Sequence, residues 1–261
     1  MGSTVINTMP PKPLTEPQET SSATTADDEK VCSEPLDKDE TDHIDSIIEK
    51  LSQKGMKAKP STPRHDTLRR ASVMVLITKD GKVLLTQRTM KLRSHPGEVC
   101  FPGGKQDEED KGDDVVTALR ETYEECGLDF RHQPPSLPLL CSMPTVESIN
   151  HLCVTPIVAF VHETADKLNK KLVLNHDEVA HAFWAPLSYF WRVEPDEEYD
   201  IEWSGGVFVF RRYNFQYTKT KSFAITGLTA HMIYEVAKAA FSDDDGETTG
   251  STRQRKKPKV N

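Results

Sequence analysis

The chain has 261 residues, a net charge of −8, and 28% charged against 7% aromatic residues, which fits one domain of ordinary size with tails. No apolar run has the length of a membrane-spanning helix, and the acidic balance argues against non-specific nucleic-acid binding. The five cysteines (Cys32, Cys100, Cys126, Cys141, Cys153) form no CxxC pair and mostly lie in apolar stretches. Reduced, buried thiols are therefore expected, rather than disulfides or zinc ligands. Met1 to Pro13 lacks the basic and apolar regions of a signal peptide, and no arginine precedes Arg64, so neither a secretory nor a mitochondrial presequence is expected. Ile6 stands where a myristoylation site needs Ser or Thr.

In chain order, residues 1–63 are expected to form a disordered tail, since they are rich in Thr, Ser, Pro and acids up to about 40. Within it, Ile44, Ile47, Ile48 and Leu51 fall at helical spacing and predict a short amphipathic helix over Thr41 to Lys54 that needs a partner surface. The compact domain is expected over 64–241. Ala71 to Ile77 and Val83 to Arg88 read as strands joined at the hairpin turn Lys79-Asp80-Gly81. Glu98 to Phe101 reads as a short extended piece leading into a glycine loop, Gly103-Gly104. A helix follows from Asp113 or Asp114, either of which can cap it. Leu137 to Ser142, Leu152 to Val161, His181 to Ala185 and Val207 to Tyr217 are further strands. Pro186 to Trp191 reads as a short helical turn and Leu228 to Phe241 as a terminal helix. Residues 242–261 form an acidic-then-basic tail, also expected to be disordered, whose Arg253 to Lys259 run suits either nuclear import or plain solvation. Mixed strands with few helices predict an α+β sandwich rather than a doubly wound sheet.

The most informative stretch is Arg120-Glu121-Thr122-Tyr123-Glu124-Glu125-Cys126-Gly127-Leu128. Its helical periodicity sets Glu121, Glu124 and Glu125 within an arc of about 100°. Val115, Leu119, Thr122 and Cys126 form an apolar stripe on the other side. Three clustered carboxylates repel one another unless a cation lies between them, and hard divalent ions such as Mg²⁺ or Mn²⁺ take oxygen ligands alongside phosphates. Arg120 is spaced to pair with Glu124 at i+4. A solvated acidic surface is the plainer reading of such a run. The glycine loop before it and the helix stop at Gly127 favour a metal site.

These residues resemble the Nudix hydrolases, whose box runs G-x5-E-x7-R-E-U-x-E-E-x-G-U with U aliphatic. Arg120 to Leu128 matches apart from Thr122 at the first U. Gly104 and Arg120 are separated by the 15 residues 105 to 119, where the pattern has thirteen. Counting back from Arg120, Gly112 stands in the place of the mid-box glutamate, and Asp107, Asp110, Asp113 and Asp114 are the candidates to replace it. Leu84-Leu85-Thr86-Gln87-Arg88-Thr89, then Arg93, Gly97 and Phe101-Pro102-Gly103-Gly104, is similar to the LLTxR[SA]-x3-R-x3-G-x3-FPGG signature of coenzyme A diphosphatases, peroxisomal ones of animals included. Val154-Thr155-Pro156, Asn175 to Val179, Ala185 to Phe190 and Ile225 to Ala230 extend the similarity, which covers roughly residues 42 to 241.

The resemblance implies a Nudix-type α/β/α sandwich with a mixed sheet, and hydrolysis of coenzyme A or acyl-CoA to 3′,5′-ADP and (acyl-)4′-phosphopantetheine with Mg²⁺ or Mn²⁺. It makes Glu121, Glu124 and Glu125 metal ligands, Glu121, Arg120 and Glu125 catalytic, and Arg88, Arg93, Gly103 and Gly104 substrate-binding. The general base stays open among Glu121, Glu125, Glu98 and Glu147. His151, His162, His176, His181 and His231 have no metal spacing and are expected on the surface or in packing. Trp184, Tyr189, Phe190 and Trp191 suit an adenine pocket or a core. Two alternatives stand beside coenzyme A: another nucleotide diphosphate derivative (ADP-ribose, NADH, a dinucleoside polyphosphate), or a non-catalytic binding protein. The resemblance suggests a peroxisomal location, while the terminal Lys259-Val260-Asn261 is not a Ser-Lys-Leu-type address and leaves the cytoplasm as the other expectation. Oligomeric state is open.

Overall fold

A computed structural model describes residues 44–54, 69–131, 137–148, 150–203 and 206–242. The expectations for both tails, the linker before the domain and Cys32 lie outside the described residues. The strands are β1 (Arg69–Thr78), β2 (Lys82–Arg88), β3 (Val99–Cys100), β4 (Gly103–Lys105), β5 (Leu139–Ser142), β6 (Val146–Glu147), β7 (Leu152–Val161), β8 (Val179–Pro186), β9 (Glu197–Trp203), β10 (Gly206–Gln216) and β11 (Ser222–Thr226). The helices are α1 (Ile44–Lys54), α2 (Asp114–Cys126), α3 (Ala165–Asn169), α4 (Tyr189–Arg192) and α5 (Gly227–Phe241).

β1 and β7 lie at the centre of an eight-stranded mixed sheet and run parallel from Arg69↔Leu152 to Thr78↔Val161. β1 is antiparallel to β2 and β4, β2 to β3 and β8, and β7 to β5 and β6. Both central strands read as almost unbroken apolar runs because both faces of the sheet are covered. With side chains alternating across the pleat, Met74, Leu76 and Leu84 pack on one face with Ala118 and Cys126 of α2 and Leu168 of α3. Val75, Ile77, Val83 and Leu85 pack on the other face with α1, α5 and aromatic residues of the three-stranded sheet β9–β10–β11. The expected α+β sandwich is what forms. α1 finds its partner surface here: Ile44, Ile47 and Leu51 are buried in the α5-side core.

The structure corrects several elements. Gly103 and Gly104 belong to a strand, paired with Val73 and Ser72 of β1, rather than to a free loop. Gly103 tolerates this because a β-carbon there would meet the Ser72 carbonyl oxygen and lie 2.6 Å from the Val73 Cα. The strands β6, β9 and β11 and the helix α3 were not anticipated. Tyr189 and Phe190 are core aromatics: Phe190 is buried edge-on to Tyr213, with ring centroids 5.2 Å apart, and Tyr189 packs on Phe215 at 5.1 Å. Trp184 belongs to the α2-side core, and Trp191 is partly exposed beside Tyr234.

Candidate active site

Helix α2 carries the acidic residues. Asp113 caps it, accepting hydrogen bonds from the Val115 and Val116 amides, and Gly127 ends it in the left-handed conformation at φ 71°. Asp114 instead forms an ion pair with Arg70 of β1 at 2.7 Å. Thr122 and Cys126 are buried, with Val115 and Leu119 packed against the same core.

The three glutamates do not share one solvated face, contrary to the simple helical projection. Glu124 is half exposed, the Glu121 side chain is 13% exposed, and Glu125 is buried at 2%. Arg120 draws the first two together, with its Nη1 donating to Glu121 Oε1 and Glu124 Oε2, each at 3.0 Å. Glu125 turns towards the sheet, and its Oε2 accepts a hydrogen bond from the Gly103 amide at 3.2 Å. Gly104 lies flush against Glu121, so that a β-carbon at Gly104 would lie 2.5 Å from that carboxylate. Strand β4 and helix α2 thus build one surface. Burial pushes the Glu125 carboxyl up to about 8, reinforced by the charges of Glu121 and Glu178 and opposed by the Gly103 bond and Arg88. Burial likewise raises Glu121, against the pull of Arg120.

Arg120 is itself fixed by Asp110. Its Nε and Nη2 donate to Asp110 Oδ1 at 2.9 Å and Oδ2 at 2.8 Å, and Nη2 also reaches the Lys105 carbonyl at 3.0 Å. Asp110 is buried and further accepts from Thr117 Oγ1 and the Asp107 amide. The Arg120 guanidinium therefore holds the Asp110 carboxyl down at about 2. Among the four candidates for the mid-box acid, Asp110 is the one that grips the box arginine. It follows Gly104 by the x5 spacing of the pattern, so the two additional residues lie between Asp110 and Arg120. Lys111 and Gly112, at φ 53° and 82°, turn the chain there in left-handed geometry and bring Asp113 to the helix cap.

Arg88 ends β2, and its charge reaches Glu125. Its Nε is buried with no hydrogen-bond partner among the described residues. Arg93 is exposed on the loop after β2. Glu98 and Glu147 are engaged by histidines, with His95 Nδ1 at 2.9 Å and His151 Nδ1 at 2.7 Å respectively. Glu178 was missed at the sequence level. The segment leading to it is tied to the end of α2 by Val173 N–H to Cys126 O at 2.9 Å and Asn175 N–H to Glu125 O at 3.0 Å, and Thr89 N–H bonds to its own carbonyl at 2.9 Å. These bonds bring an exposed carboxylate into the field of Glu121 and Glu125 from a distant part of the chain, which no local spacing announces. Cys100, Cys126, Cys141 and Cys153 are free thiols. Burial pushes Cys100 up to about 11, and Cys126 higher still, so neither is an activated nucleophile.

Among the described residues, no three His, Cys, Asp or Glu side chains close on a common point. The donor set nonetheless suits a hard divalent cation: Glu121 and Glu125 are oxygen donors raised first by burial and then by neighbouring carboxylates, so a bound cation would stabilise their charged forms.

A family model for the NUDIX domain matches residues 67–203. The chain is similar to Nudix hydrolase 15, mitochondrial, of Arabidopsis thaliana, at 34% identity over 177 residues, covering 66% of this chain and 59% of that protein. It is similar to the peroxisomal coenzyme A diphosphatase NUDT7 of Mus musculus at 35% over 177 residues, 66% of this chain and 71% of the mouse protein. The peroxisomal coenzyme A diphosphatase ndx-8 of Caenorhabditis elegans aligns at 39% over 124 residues, 46% and 50% of the two chains. The matched stretch thus spans 59% of the length of the plant protein and half that of the worm protein. Since the family model covers just over half of the 261 residues, across the glycine strand and the acidic helix it faces, the chain belongs to the NUDIX domain family.

Proposed function

We propose that the protein is a metal-dependent hydrolase that cleaves the pyrophosphate of coenzyme A and acyl-CoA to 3′,5′-ADP and (acyl-)4′-phosphopantetheine. The observation that carries the reading is that the two sequence signatures meet in space. The glycine strand bonds to Glu125 and abuts Glu121, while Arg88 of the same signature lies beside them with an unpaired buried nitrogen. The names of the mouse and worm relatives support the choice of coenzyme A.

In this reading Glu121, Glu124 and Glu125 would hold Mg²⁺ or Mn²⁺, which would screen phosphate charge, polarise phosphoryl oxygens and make a nearby water more acidic. Arg120, locked by Asp110, orients Glu121 and Glu124. Arg88, and Arg93 from the adjoining loop, offer guanidinium groups to phosphate oxygens. Gly103 lets the strand close on β1, and Gly104 leaves the Glu121 carboxylate free of a side chain beside it. Water attacks one phosphorus, the bridging P–O bond breaks, and the water's proton passes to a carboxylate of this cluster.

Incubation with coenzyme A and Mg²⁺ or Mn²⁺, with products separated, should yield 4′-phosphopantetheine. Brisk cleavage of ADP-ribose or NADH with no turnover of coenzyme A would reject the reading. Glu124→Gln and Glu125→Gln should each abolish turnover while the fold persists, and turnover that survives both would remove the proposed metal site. We further take the peroxisome as the cellular address, after the names of the mouse and worm relatives. Overlap of the full chain with a peroxisomal marker supports it, and a diffuse cytoplasmic signal overturns it.

A further inference from the structure

β2 ends and β7 begins at the same end of the sheet, because β1 runs antiparallel to one and parallel to the other. The loops at those ends, 89–98 after β2 and 148–151 before β7, touch there. His95 bridges them: its Nε2 lies 2.7 Å from Asn150 Nδ2, and its Nδ1 lies 2.9 Å from Glu98 Oε2. A carboxylate only accepts, so Nδ1 carries the proton, and Nε2 of the neutral ring accepts from the Asn150 amide. The backbone marks the same two places. Among the described residues, His95, Lys111 and His151 are the non-glycine residues with left-handed φ, at 55°, 53° and 54°. Lys111 belongs to the turn before α2, and the other two lie in these two loops. A side chain keeps that conformation where its surroundings over-determine it. Each histidine is held by a glutamate of its own loop, His95 by Glu98 and His151 by Glu147 at 2.7 Å.

The two loops differ in how they are fixed. The 148–151 turn is pinned to β7. The Ser148 amide donates to the Leu152 carbonyl at 2.8 Å, the His151 amide to the Ser148 carbonyl at 2.9 Å, and the Leu152 amide to Ser148 Oγ at 3.1 Å. β7 pairs along its whole length with β1, so Asn150 stands on a rigid post. Loop 89–98 is fixed at its base, by the Arg88 amide on the Glu98 carbonyl at 2.9 Å and Gln87 Nε2 on the Gly97 carbonyl at 3.0 Å. Thr89 adds bonds to the carbonyls of Asp177 and Glu178. The tip, Lys91 to Pro96, is exposed apart from half-buried Leu92. Among the described residues, the Asn150 bond is the hydrogen bond that ties this tip to another part of the chain. Arg93 sits in the tip, two residues before His95. On a backbone free to swing, it would lose part of its phosphate-binding energy to ordering.

We propose that His95 is a positioning residue: tied to Asn150, it holds the tip of loop 89–98 so that Arg93 is ordered before substrate arrives. This rests on the coenzyme A reading, in which Arg93 meets a phosphate. The test measures kcat and KM for coenzyme A in the full chain, in Asn150→Ala, His95→Gly and their double variant, and in Arg93→Ala with and without Asn150→Ala. Thermal melts check folding. Glycine at 95 keeps the left-handed turn and removes the ring. Asn150→Ala leaves all of loop 89–98 intact, so its effect on substrate passes through the tie. Asn150→Ala and His95→Gly should each raise KM about three- to tenfold, with kcat within about twofold and Tm unchanged. The double variant should be no worse than His95→Gly, and Asn150→Ala should add nothing once Arg93 is gone. A wild-type KM in Asn150→Ala, effects that multiply in the double variant, or a full Asn150→Ala effect in the Arg93→Ala background overturns the proposal and leaves the coenzyme A reading standing. Should the wild type cleave another nucleotide and not coenzyme A, that reading fails, and the same set of variants on that nucleotide decides the tie. Cleavage of no nucleotide overturns both.

Discussion

Asp110 is one methylene shorter than the glutamate of the family pattern, and its environment compensates by building it into a 3-10 turn whose own cap it completes. Its carboxyl pKa is depressed from 3.8 to about 2. Its stabilising pairing is therefore complete above about pH 3.8 and is lost as pH falls through about 2. Asp110→Asn should cost about 2 to 3 kcal/mol at neutral pH and flatten the acid-induced loss of stability in that window, as acid denaturation monitored by circular dichroism can show. Because it loosens Arg120 and through it two glutamates, turnover should fall about 10- to 100-fold. Counting forward from Gly104 makes this residue legible in the sequence, whereas counting back from Arg120 lands on Gly112, because the extra residues lie inside the box. The neighbouring glycines separate fold from chemistry. Gly103→Ala drives a β-carbon into the backbone of β1 and should unfold or strongly destabilise the domain. Gly104→Ala meets only the flexible end of Glu121, so it should melt near the wild-type Tm while losing most activity. Paired melting and turnover measurements would show whether the two effects divide this way.

Long periodic elements could be read from the sequence because one apolar stripe or one unbroken apolar run dominates them: α2, α5, β1 and β7 fall within a residue or two of expectation. The misses have physical causes. β4 holds two glycines, which carry no strand signal, and it forms only because β1 leaves an edge that small residues can approach closely. In β9, Glu197, Glu198, Asp200 and Glu202 mask the alternation of Tyr199 and Ile201, as suits a strand at a sheet edge. Spacing along α2 made the Arg120 pairing with Glu124 legible, whereas the approach of Glu178 was not, since main-chain bonds from α2 and Thr89 deliver it. Helix α1 gives this scale its own test. Leu51 is 1% exposed within the α5-side core, so Leu51→Ala should cost about 2 to 5 kcal/mol. A urea titration should show that loss, with KM for coenzyme A unaltered, because the helix packs on the face of the sheet away from α2. A changed KM would mean that α1 reaches the site.

At the scale of the whole molecule, the chain places carboxyl groups where burial most disfavours their charge. Glu125 is buried, Glu121 nearly so, and Glu178 adds its field, so the cation-free fold carries strain that a hydrophobic core must offset. If these carboxylates hold the proposed cation, function and stability pull in opposite directions at the same atoms. Glu125→Gln preserves the acceptor for the Gly103 amide and removes the cost of keeping protonated, at neutral pH, a carboxyl that burial holds at about 8. Without divalent ions at neutral pH it should therefore be more stable than the wild type, on the order of 2 kcal/mol or roughly 4–8 °C in Tm, while being inactive. Mn²⁺ should reverse that ranking in part. An ion that binds only the folded state raises Tm with its concentration, so the wild type should gain stability that EDTA removes, and Glu125→Gln should gain much less. Thermal melts of both proteins across a Mn²⁺ series, read without any substrate, decide the matter. A wild type indifferent to Mn²⁺, or a Glu125→Gln variant that melts lower than the metal-free wild type, would show that these carboxylates are held for structure and not for a cation.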